Sequence, residues 1–391
     1  MVVIYPVLEL RDLLYAHRYG WLEALAEVTE GIMLRPEPEL GQVFRLGKTV
    51  KEFLAQEWGL PREQVDRLKI MLDHGINSPS FRNVFGLDKT PRNVVYVYHR
   101  LGVDLGIAFD VPVRLYISAA IDIAVDGYAD VDIDVAVKDI VEEIAETVKK
   151  QVKSLLNTNS LDRKAKTVIR RKAEVVIKSS TEVQKLLRKL SRVGVEETVR
   201  RLEEMAEYSR TLGFKGLVPV VQGLFNEDIE YCVKRVVEAM TRIHREFLVA
   251  IGTGGKVLSR EDTERIKFAI GKIKEFAAKN GASVKIHLLG WSSPNRLQDA
   301  EVLKNIDSAD SLTVRRRAVE GRVFIENGRS LELVHVSTIS ENDLACDCLV
   351  CNSSTLRRYV LDPSGARRND ARIVHNIYVI TRFLNKALSK P

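Results

Sequence analysis

Short apolar runs that end at a polar residue or a glycine recur along this chain, and a helical pattern follows each one. The clearest are residues 69–72 before Asp73, 106–109 before Asp110, 217–221 before Gln222, 247–251 before Gly252 and 284–289 before Gly290. Continuous apolar runs are typical of buried parallel strands, and the helices between them indicate βα units. The repetition predicts an α/β fold, specifically a (β/α)8 TIM-like barrel.

The residues at the ends of these runs are candidates for a functional site. In such a barrel the carboxyl ends of the strands meet at one mouth, where active sites lie. An isolated Asp after a strand is more often a helix N-cap than a catalytic group. Five polar or glycine residues at the same place in the pattern nevertheless favour a shared site.

The other segments differ from this pattern. Residues 1–65 alternate helical stretches, at 8–27 and 48–57, with turns marked by Pro and Gly, which predicts an N-terminal helical elaboration before a barrel at 66–391. Residues 113–192 interrupt the strand pattern with long basic helices, predicted near 137–156 and 161–190. They are interpreted as a large, mainly helical insertion.

Positive charge is concentrated in part of that insertion. The whole chain has 60 Lys and Arg against 53 Asp and Glu, but residues 149–192 alone have 14 Lys or Arg against three acids. Such a segment either binds a polyanion or forms a solvated helical face. No apolar run of about 18 residues is present, so no transmembrane helix is expected. The protein is expected to be cytoplasmic.

Three of the four cysteines lie within six residues, at Cys346, Cys348 and Cys351, and His375 follows 24 positions later. This spacing is typical of a structural Cys3His zinc site, which predicts one Zn²⁺ per chain in a zinc-binding region at 331–391. The alternatives are a disulfide or free buried thiols. A helix predicted at 371–388 would place His375 beside a buried face.

The order of these motifs resembles the tRNA-guanine transglycosylase family, especially its archaeal branch. The similar segments begin with Ile70-Met71-Leu72-Asp73-His74-Gly75 and the run from Gly102 to Pro112. Pro219-Val220-Val221-Gln222-Gly223, Ala250-Ile251-Gly252, His287-Leu288-Leu289-Gly290, Asp307-Ser308-Ala309-Asp310-Ser311 and the stretch from Cys346 to Tyr378 follow in the family's order. They fall within residues 66–112 and 195–388, over half of the chain.

The resemblance implies that guanine in a polynucleotide is exchanged for a free 7-deazaguanine base, expected to be the 7-cyano form, without strand cleavage. Asp310 would be the nucleophile that forms a covalent glycosyl intermediate, and Asp73 the general acid/base. An alternative register makes Asp307 the nucleophile.

The resemblance also implies which residues bind the base, after it has been flipped out of its stack. Asp110 would accept hydrogen bonds from N1 and N2 of guanine, and Gln222 would contact its carbonyl edge. Gly223 and Gly252 would line the pocket, and Phe81 would stack on the base.

Several residues depart from the family's pattern. His74 and the turn after it replace a Ser and a compact Gly-aromatic turn, residues 253–255 replace a Gly followed by an apolar residue, and Ala309 replaces an aromatic. The segment after Gly290 also changes its polar residues.

The C-terminal RNA-binding domains of archaeal family members are not expected in this chain. Contacts to phosphates are therefore expected from the basic helices, with Arg170, Arg171 and Lys172 as candidates, and from Arg315, Arg316 and Arg317.

The principal hypothesis is a pentosyltransferase that acts on tRNA, with a homodimer expected by resemblance. One alternative is the same exchange on DNA, and another is a catalytically silent, zinc-stabilised nucleic-acid binder. The presence of Asp73, Asp110, Gln222 and Asp310 argues against the silent binder.

Overall fold

The computed structural model describes residues 2–18, 20, 22–75, 81–156, 163–252, 260–290, 299–327, 330–344, 346–362 and 369–388. The strands are β1 Val3–Pro6, β2 Gly31–Leu34, β3 Lys69–Leu72, β4 Leu105–Ile107, β5 Leu217–Val218, β6 Val220–Val221, β7 Glu246–Gly252, β8 Ser283–Leu289, β9 Ser308–Ser311, β10 Arg322–Asn327 and β11 Ser330–His335. Two short 3-10 helices, Val336–Thr338 and Glu341–Asp343, follow β11.

The α-helices are α1 Leu10–Arg18, α2 Leu22–Val28, α3 Pro38–Leu46, α4 Val50–Gln56, α5 Arg62–Arg67, α6 Phe81–Phe85, α7 Pro91–Leu101, α8 Val113–Asp126, α9 Lys138–Leu156, α10 Arg163–Ser179, α11 Thr181–Leu212, α12 Asn226–Thr241, α13 Arg260–Lys279, α14 Ala300–Leu303, α15 Leu312–Val319, α16 Leu349–Asn352, α17 Ser354–Leu361 and α18 Asn369–Leu388. No helix in the described ranges combines the length and the apolarity that crossing a bilayer requires.

Strands β1 to β9 form a closed parallel barrel, as the sequence predicts. Hydrogen bonds join β2, β3, β4 and β5 into one parallel sheet, and β6, β7, β8, β9 and β1 into another. A parallel bridge between Val7 and Met33 connects β1 to β2. Pro219 separates β5 from β6, but its carbonyl oxygen still accepts a hydrogen bond of 2.8 Å from the Ala250 amide. The two short strands therefore occupy one of eight strand positions.

Side chains fill the interior of the barrel, so it is a packed core. Its buried interior cluster contains Tyr5, Val7, Met33, Met71, Ile107, Val218, Val220 and Ala250. Residues at alternate positions, such as Ile70 and Leu72, face outward and belong to the larger core between strands and helices. This alternation decides which residues near the mouth point inward.

The prediction for residues 1–65 was wrong in one respect. Two strands of the barrel, β1 and β2, lie within this segment, so it is not a helical elaboration outside the barrel. Each strand has only four residues and is flanked by longer helical patterns, which obscured it. The helices expected at 8–27 and 48–57 are present as α1, α2 and α4.

The insertion has a hydrophobic core of its own. Buried residues of α8, α9, α10 and the first part of α11 form this second cluster, which includes Val141, Ile144 and Leu187. Helix α11 continues to Leu212, well beyond the predicted end near residue 190. It continues because Val195, Val199 and Leu202 keep helical spacing and pack into the main core.

The C-terminal region packs on the barrel through α18, which confirms the helix predicted at 371–388. The β10–β11 hairpin and α15 contact the same helix. Arg372 of α18 is 2% exposed and donates hydrogen bonds to the carbonyl oxygens of Val360, at 2.9 Å, and Ala318, at 3.1 Å. Its buried charge is thus matched by backbone acceptors from α17 and α15.

Candidate active site and metal centre

The residues predicted at strand ends all lie at the carboxyl end of the barrel. Asp73 follows β3, Gln222 follows β6, Gly252 ends β7 and Gly290 follows β8. Asp110 lies three residues after β4, which is shorter than expected because regular pairing stops at Ile107. Since neighbouring strands are parallel, these positions belong to one mouth.

Asp310 points into the barrel from β9. Its neighbour Ala309 faces the outer core, so the alternation of the strand turns Asp310 inward, where it is 3% exposed. Its Oδ1 atom accepts a hydrogen bond of 2.5 Å from the Gly290 amide and lies 3.5 Å from Nε2 of His287. Within the described residues no hydrogen bond to Oδ2 is present, so one oxygen is held and the other is available.

Asp307 lies at the opposite end of the same strand. Its carboxylate accepts a hydrogen bond of 2.8 Å from the Ile286 amide of β8. Its own amide donates 2.9 Å to the Ile286 carbonyl oxygen. Asp307 therefore ties the start of β9 to Ile286 of β8, away from the mouth at which Asp310 lies.

Asp73 is held by a backbone amide and a neighbouring cation. Its Oδ1 accepts a hydrogen bond of 3.1 Å from Gly75, and its Oδ2 lies 3.7 Å from Nε of Arg35, which follows β2. Burial alone raises the pKa of this carboxyl, but the interactions with His74 and Arg35 outweigh it and hold the pKa below its usual value. The carboxylate form of Asp73 is thus favoured.

Asp110 lies against a buried imidazole and an aromatic ring. It is 6% exposed, and Nε2 of His74 lies 3.7 Å from its Oδ1. The His74 ring packs on Phe109 with centroids 5.0 Å apart, and the Phe109 ring also has Arg201 at 4.3 Å and Lys89 at 5.0 Å. Burial lowers the pKa of Lys89, although nearby acids, Asp73 and Asp110 first among them, oppose this effect.

Gln222 is bound by the insertion in this structure. Its Nε2 donates a hydrogen bond of 2.5 Å to Oγ1 of Thr198 in α11, and its Oε1 accepts one of 3.3 Å from the Val113 amide. The same Thr198 hydroxyl accepts 2.9 Å from the Val111 amide. Gln222 therefore connects the mouth to α11, rather than presenting a free carboxamide to a base.

The two predicted pocket glycines differ. Gly223 has φ +152°, and a Cβ there would lie 3.0 Å from the Ile229 amide nitrogen, so the turn into α12 requires a glycine. At Gly252 a Cβ would lie 3.7 Å from the nearest described atom, an ordinary van der Waals contact, so a small side chain has room there. This space is consistent with a pocket-lining position at Gly252.

The expectation that Phe81 stacks on a base was wrong. Its ring is 1% exposed and packs on Phe85 with centroids 4.9 Å apart, inside the main core. A fully buried ring has no face to offer a ligand. The altered turns at 76–80, 253–255 and 291–298 lie outside the described residues.

A cavity of about 420 Å³ adjoins Asp110 on the side of the insertion. Its walls include Lys89 and Arg201, together with Asp132 and Asp134 from the segment between α8 and α9. A larger cavity, of about 1010 Å³, lies at the amino end of the barrel against α18. This larger cavity is remote from Asp73, Asp110 and Asp310, so cavity size alone does not identify the candidate active site.

Cys346, Cys348, Cys351 and His375 are brought together as predicted. Their ligand atoms all lie within 4.8 Å of one another, and Nδ1 of His375 is 3.2 Å from the Cys351 sulfur. Nε2 of His375 lies 2.9 Å from the Phe324 carbonyl oxygen, which requires the proton on Nε2 and leaves the Nδ1 lone pair facing the sulfurs. Three thiols and one imidazole in this arrangement fit a zinc ion.

The residues after His375 attach the cysteine segment to the barrel. Oδ1 of Asn376 accepts a hydrogen bond of 2.9 Å from the Phe324 amide, and Nδ2 of Asn376 donates one of 3.3 Å to the Arg322 carbonyl oxygen. Tyr378 donates 2.9 Å to Asp347, between two of the cysteines. The His-Asn-x-Tyr motif thus joins α18 to both β10 and the cysteine segment.

Comparison with known families agrees with this combination of barrel and metal cluster. Residues 177–388, more than half of the chain, match the family described as queuine tRNA-ribosyltransferase (TGT). The chain belongs to this family. No curated protein matches it. Membership supports a transglycosylase role on tRNA, and the matched residues contain Gln222, Asp310 and all four zinc-ligand candidates.

The candidate phosphate-binding residues of this TGT-family chain are mostly paired with acids. Arg170 binds Asp122 and Asp126 of α8, which favours a structural role. Arg315 lies between Asp12, at 2.7 Å, and Glu9, at 2.9 Å.

Arg316 and Arg317 both pair with Glu320, at 3.1 and 2.6 Å. Arg171 and Lys172 are exposed on α10. These two residues are the better candidates for contacts to a polyanion.

Several site residues were not assigned a role from the sequence. The sequence pattern did not mark Arg35, Lys89 or Thr198 as functional, because their segments were interpreted only in terms of helices and turns. His74 and His287 were visible inside motifs, but only the fold shows that each imidazole lies beside a carboxylate.

Proposed function

We propose that this chain exchanges guanine in tRNA for a free 7-deazaguanine through a covalent glycosyl intermediate on Asp310. The observation that carries the proposal is the environment of the Asp310 carboxylate, which is buried at the barrel mouth with Oδ1 hydrogen-bonded and with no partner for Oδ2 among the described residues. Membership in the TGT family supports the reaction class. Asp73 and Asp110 lie outside the matched residues, so their roles rest on position and environment.

In the first half of the reaction, Oδ2 of Asp310 attacks the anomeric carbon of the target nucleotide. The bond from that carbon to the base breaks, its electron pair leaves with guanine, and Asp73 in its acid form gives a proton to the departing base, which it regains in the second half. In the second half, the incoming base attacks the same carbon and the Asp310 carboxylate leaves. The lowered pKa of Asp73 favours its carboxylate form, which is suited to take the proton from the incoming base.

Base recognition would involve Asp110, whose carboxylate matches the two adjacent N–H donors of guanine. Gln222, held by Thr198 and Val113, would position the strand ends around the pocket. A target base must leave its stack to reach these groups.

The exchange is tested with radiolabelled guanine, tRNA and duplex DNA in parallel. We expect label to enter tRNA with the wild-type chain and not with Asp310→Asn. Label in DNA alone would replace tRNA with DNA as the substrate. No label in either polymer, from a folded and zinc-loaded chain, would contradict the proposal and favour a silent binder.

The metal is proposed to be one structural zinc per chain. All four candidate ligands are protein side chains, so the ion would stabilise the fold of the region at 331–391 and take no part in base exchange. We expect about one zinc per chain by elemental analysis, lost in Cys351→Ser and kept in the matched variant Cys232→Ala. Cys232 is buried away from the cluster, so zinc loss in both variants would contradict the assignment.

The exposed face of α10 is proposed to contact phosphates through Arg171 and Lys172. Changing both to Gln should weaken tRNA binding and flatten the plot of log affinity against log salt by about one unit per lost contact. The control changes Lys279 and Lys304 to Gln, two exposed residues at the amino end of the barrel. Equal slopes for both double variants would rule out this face.

A further inference from the structure

Three polar side chains form a chain beneath the barrel mouth. Nδ1 of His287 lies 2.9 Å from Oγ of Ser308, and its Nε2 lies 3.5 Å from Oδ1 of Asp310. All three residues are buried, with the His287 side chain 0% exposed. They face the interior because Ile286, Leu288 and Ala309, at the alternate positions, belong to the outer core.

The surroundings of His287 determine where its proton lies. On β1, the ring of Tyr5 packs edge-on against the imidazole, with centroids 6.0 Å apart and planes at 74°. No described atom forms a standard hydrogen bond with Nε2, and the Asp310 carboxylate lies 3.5 Å from it. A lone pair on Nε2 facing a carboxylate would be repelled, whereas an N–H is attracted. The proton therefore belongs on Nε2, and Nδ1 accepts from the Ser308 hydroxyl.

We infer that His287 is a positioning residue for the nucleophile and that Ser308 sets its tautomer. Together with the Gly290 amide, Nε2–H of His287 fixes Oδ1 of Asp310, which assigns the attack on the sugar to Oδ2. This inference rests on the proposed exchange reaction and adds a residue to it. In this role His287 acts through Asp310 and makes no contact with the substrate.

The role is consistent with both halves of the reaction. When Oδ2 bonds to the anomeric carbon and the base leaves with the electron pair of the broken bond, Oδ1 becomes the carbonyl oxygen of the ester. When the incoming base attacks, the Oδ2–carbon bond breaks and the carboxylate regains its charge. A donor on Oδ1 stabilises that departing carboxylate and holds its plane throughout.

Two amide substitutions separate the two nitrogens of His287. The amide of Asn can reach the position of Nδ1, beside Ser308, whereas the longer Gln can reach that of Nε2, beside Asp310. We expect His287→Gln to keep most of the rate at which the covalent adduct forms with saturating tRNA. His287→Asn should lose roughly 100-fold in kcat with little change in KM, because the lost donor acts on the nucleophile.

Folding is checked by the thermal midpoint and zinc content of both variants. Equal rates for His287→Asn and His287→Gln, or a wild-type rate in His287→Asn, would overturn the inference. If the wild-type chain forms no adduct, the proposed function fails and the inference is then judged by spectroscopy alone.

The spectroscopic measurement is ¹⁵N NMR of the histidine-labelled chain, with His287→Gln used to assign the signals. We expect a protonated Nε2 and an unprotonated, hydrogen-bonded Nδ1, whose shift changes in Ser308→Ala. A proton on Nδ1 in the wild-type chain, or no change in Ser308→Ala, would overturn the inference whatever the activity.

Discussion

The two ends of the barrel use aspartates in opposite ways. At the amino end, Asp104 and Asp307 are exposed, yet each carboxylate accepts a 2.8 Å hydrogen bond from the backbone of the preceding strand, at Ile70 and Ile286. At the mouth, Asp310 is buried, and only one of its oxygens has a described hydrogen bond. The exposed carboxylates are bound by the fold, whereas one oxygen of the buried carboxylate has no partner among the described residues.

This contrast shows that position along a strand, rather than residue type, sets the role of a carboxylate. Burying an oxygen without a full set of partners costs free energy, which a purely structural residue would not justify. The sequence segment from Asp307 to Asp310 contains one aspartate of each kind, three residues apart.

The largest expected effect compares those two aspartates directly. Asp310→Asn should lower exchange by about 10⁴-fold or more, because an amide cannot form the glycosyl ester. Asp307→Asn keeps an acceptor for the Ile286 amide and should retain nearly the wild-type rate. Both are measured as label incorporated into tRNA, and a similar loss in the two variants would remove the functional difference between the ends of the barrel.

A smaller effect is expected on stability, where the aspartates at the amino end of the barrel should matter more than Asp310. Asp307→Ala and Asp104→Ala each remove a hydrogen bond from a backbone amide and should lower the free energy of unfolding by about 1 kcal/mol. Asp310→Ala removes a buried charge and should not lower it by as much. Urea denaturation tests this ranking, and greater destabilisation by Asp310→Ala would contradict it.

The smallest effect concerns pH. Arg35 helps to hold the pKa of Asp73 below its usual value, so Arg35→Gln should raise that pKa. Asp73 would then become protonated at higher pH, and the acid limb of the rate profile should move upward by a fraction of a unit. Arg35→Lys keeps the charge and serves as the control. An acid limb that stays in place in Arg35→Gln would show that the cation does not act on Asp73.

The sequence predicted those parts of the molecule that depend on local pattern. Residues 69–72 and 284–289 are mainly apolar runs, and both are strands as predicted. The cysteine spacing predicted the four side chains that now converge. The helix around His375 followed from its apolar periodicity and was confirmed.

The sequence could not predict contacts between distant segments. Strands β1 and β2 are each four residues long, and it is pairing with β9 and β3 that makes them strands. Phe81 looked available as an aromatic after a predicted turn, but its burial depends on packing against Phe85. The hydrogen bond between Gln222 and Thr198 joins residues 24 positions apart in sequence, across different elements.

That last contact has a consequence for how the molecule can be divided. Helix α11 begins in the insertion and ends in the barrel, and its Thr198 hydroxyl binds both Gln222 and the chain beside Asp110. Excising residues 113–192 to obtain a minimal barrel would cut into this helix and remove the second core on which its first part packs, leaving only the part that packs on the main core. The insertion is therefore joined to the barrel mouth through α11 and cannot be treated as a removable module.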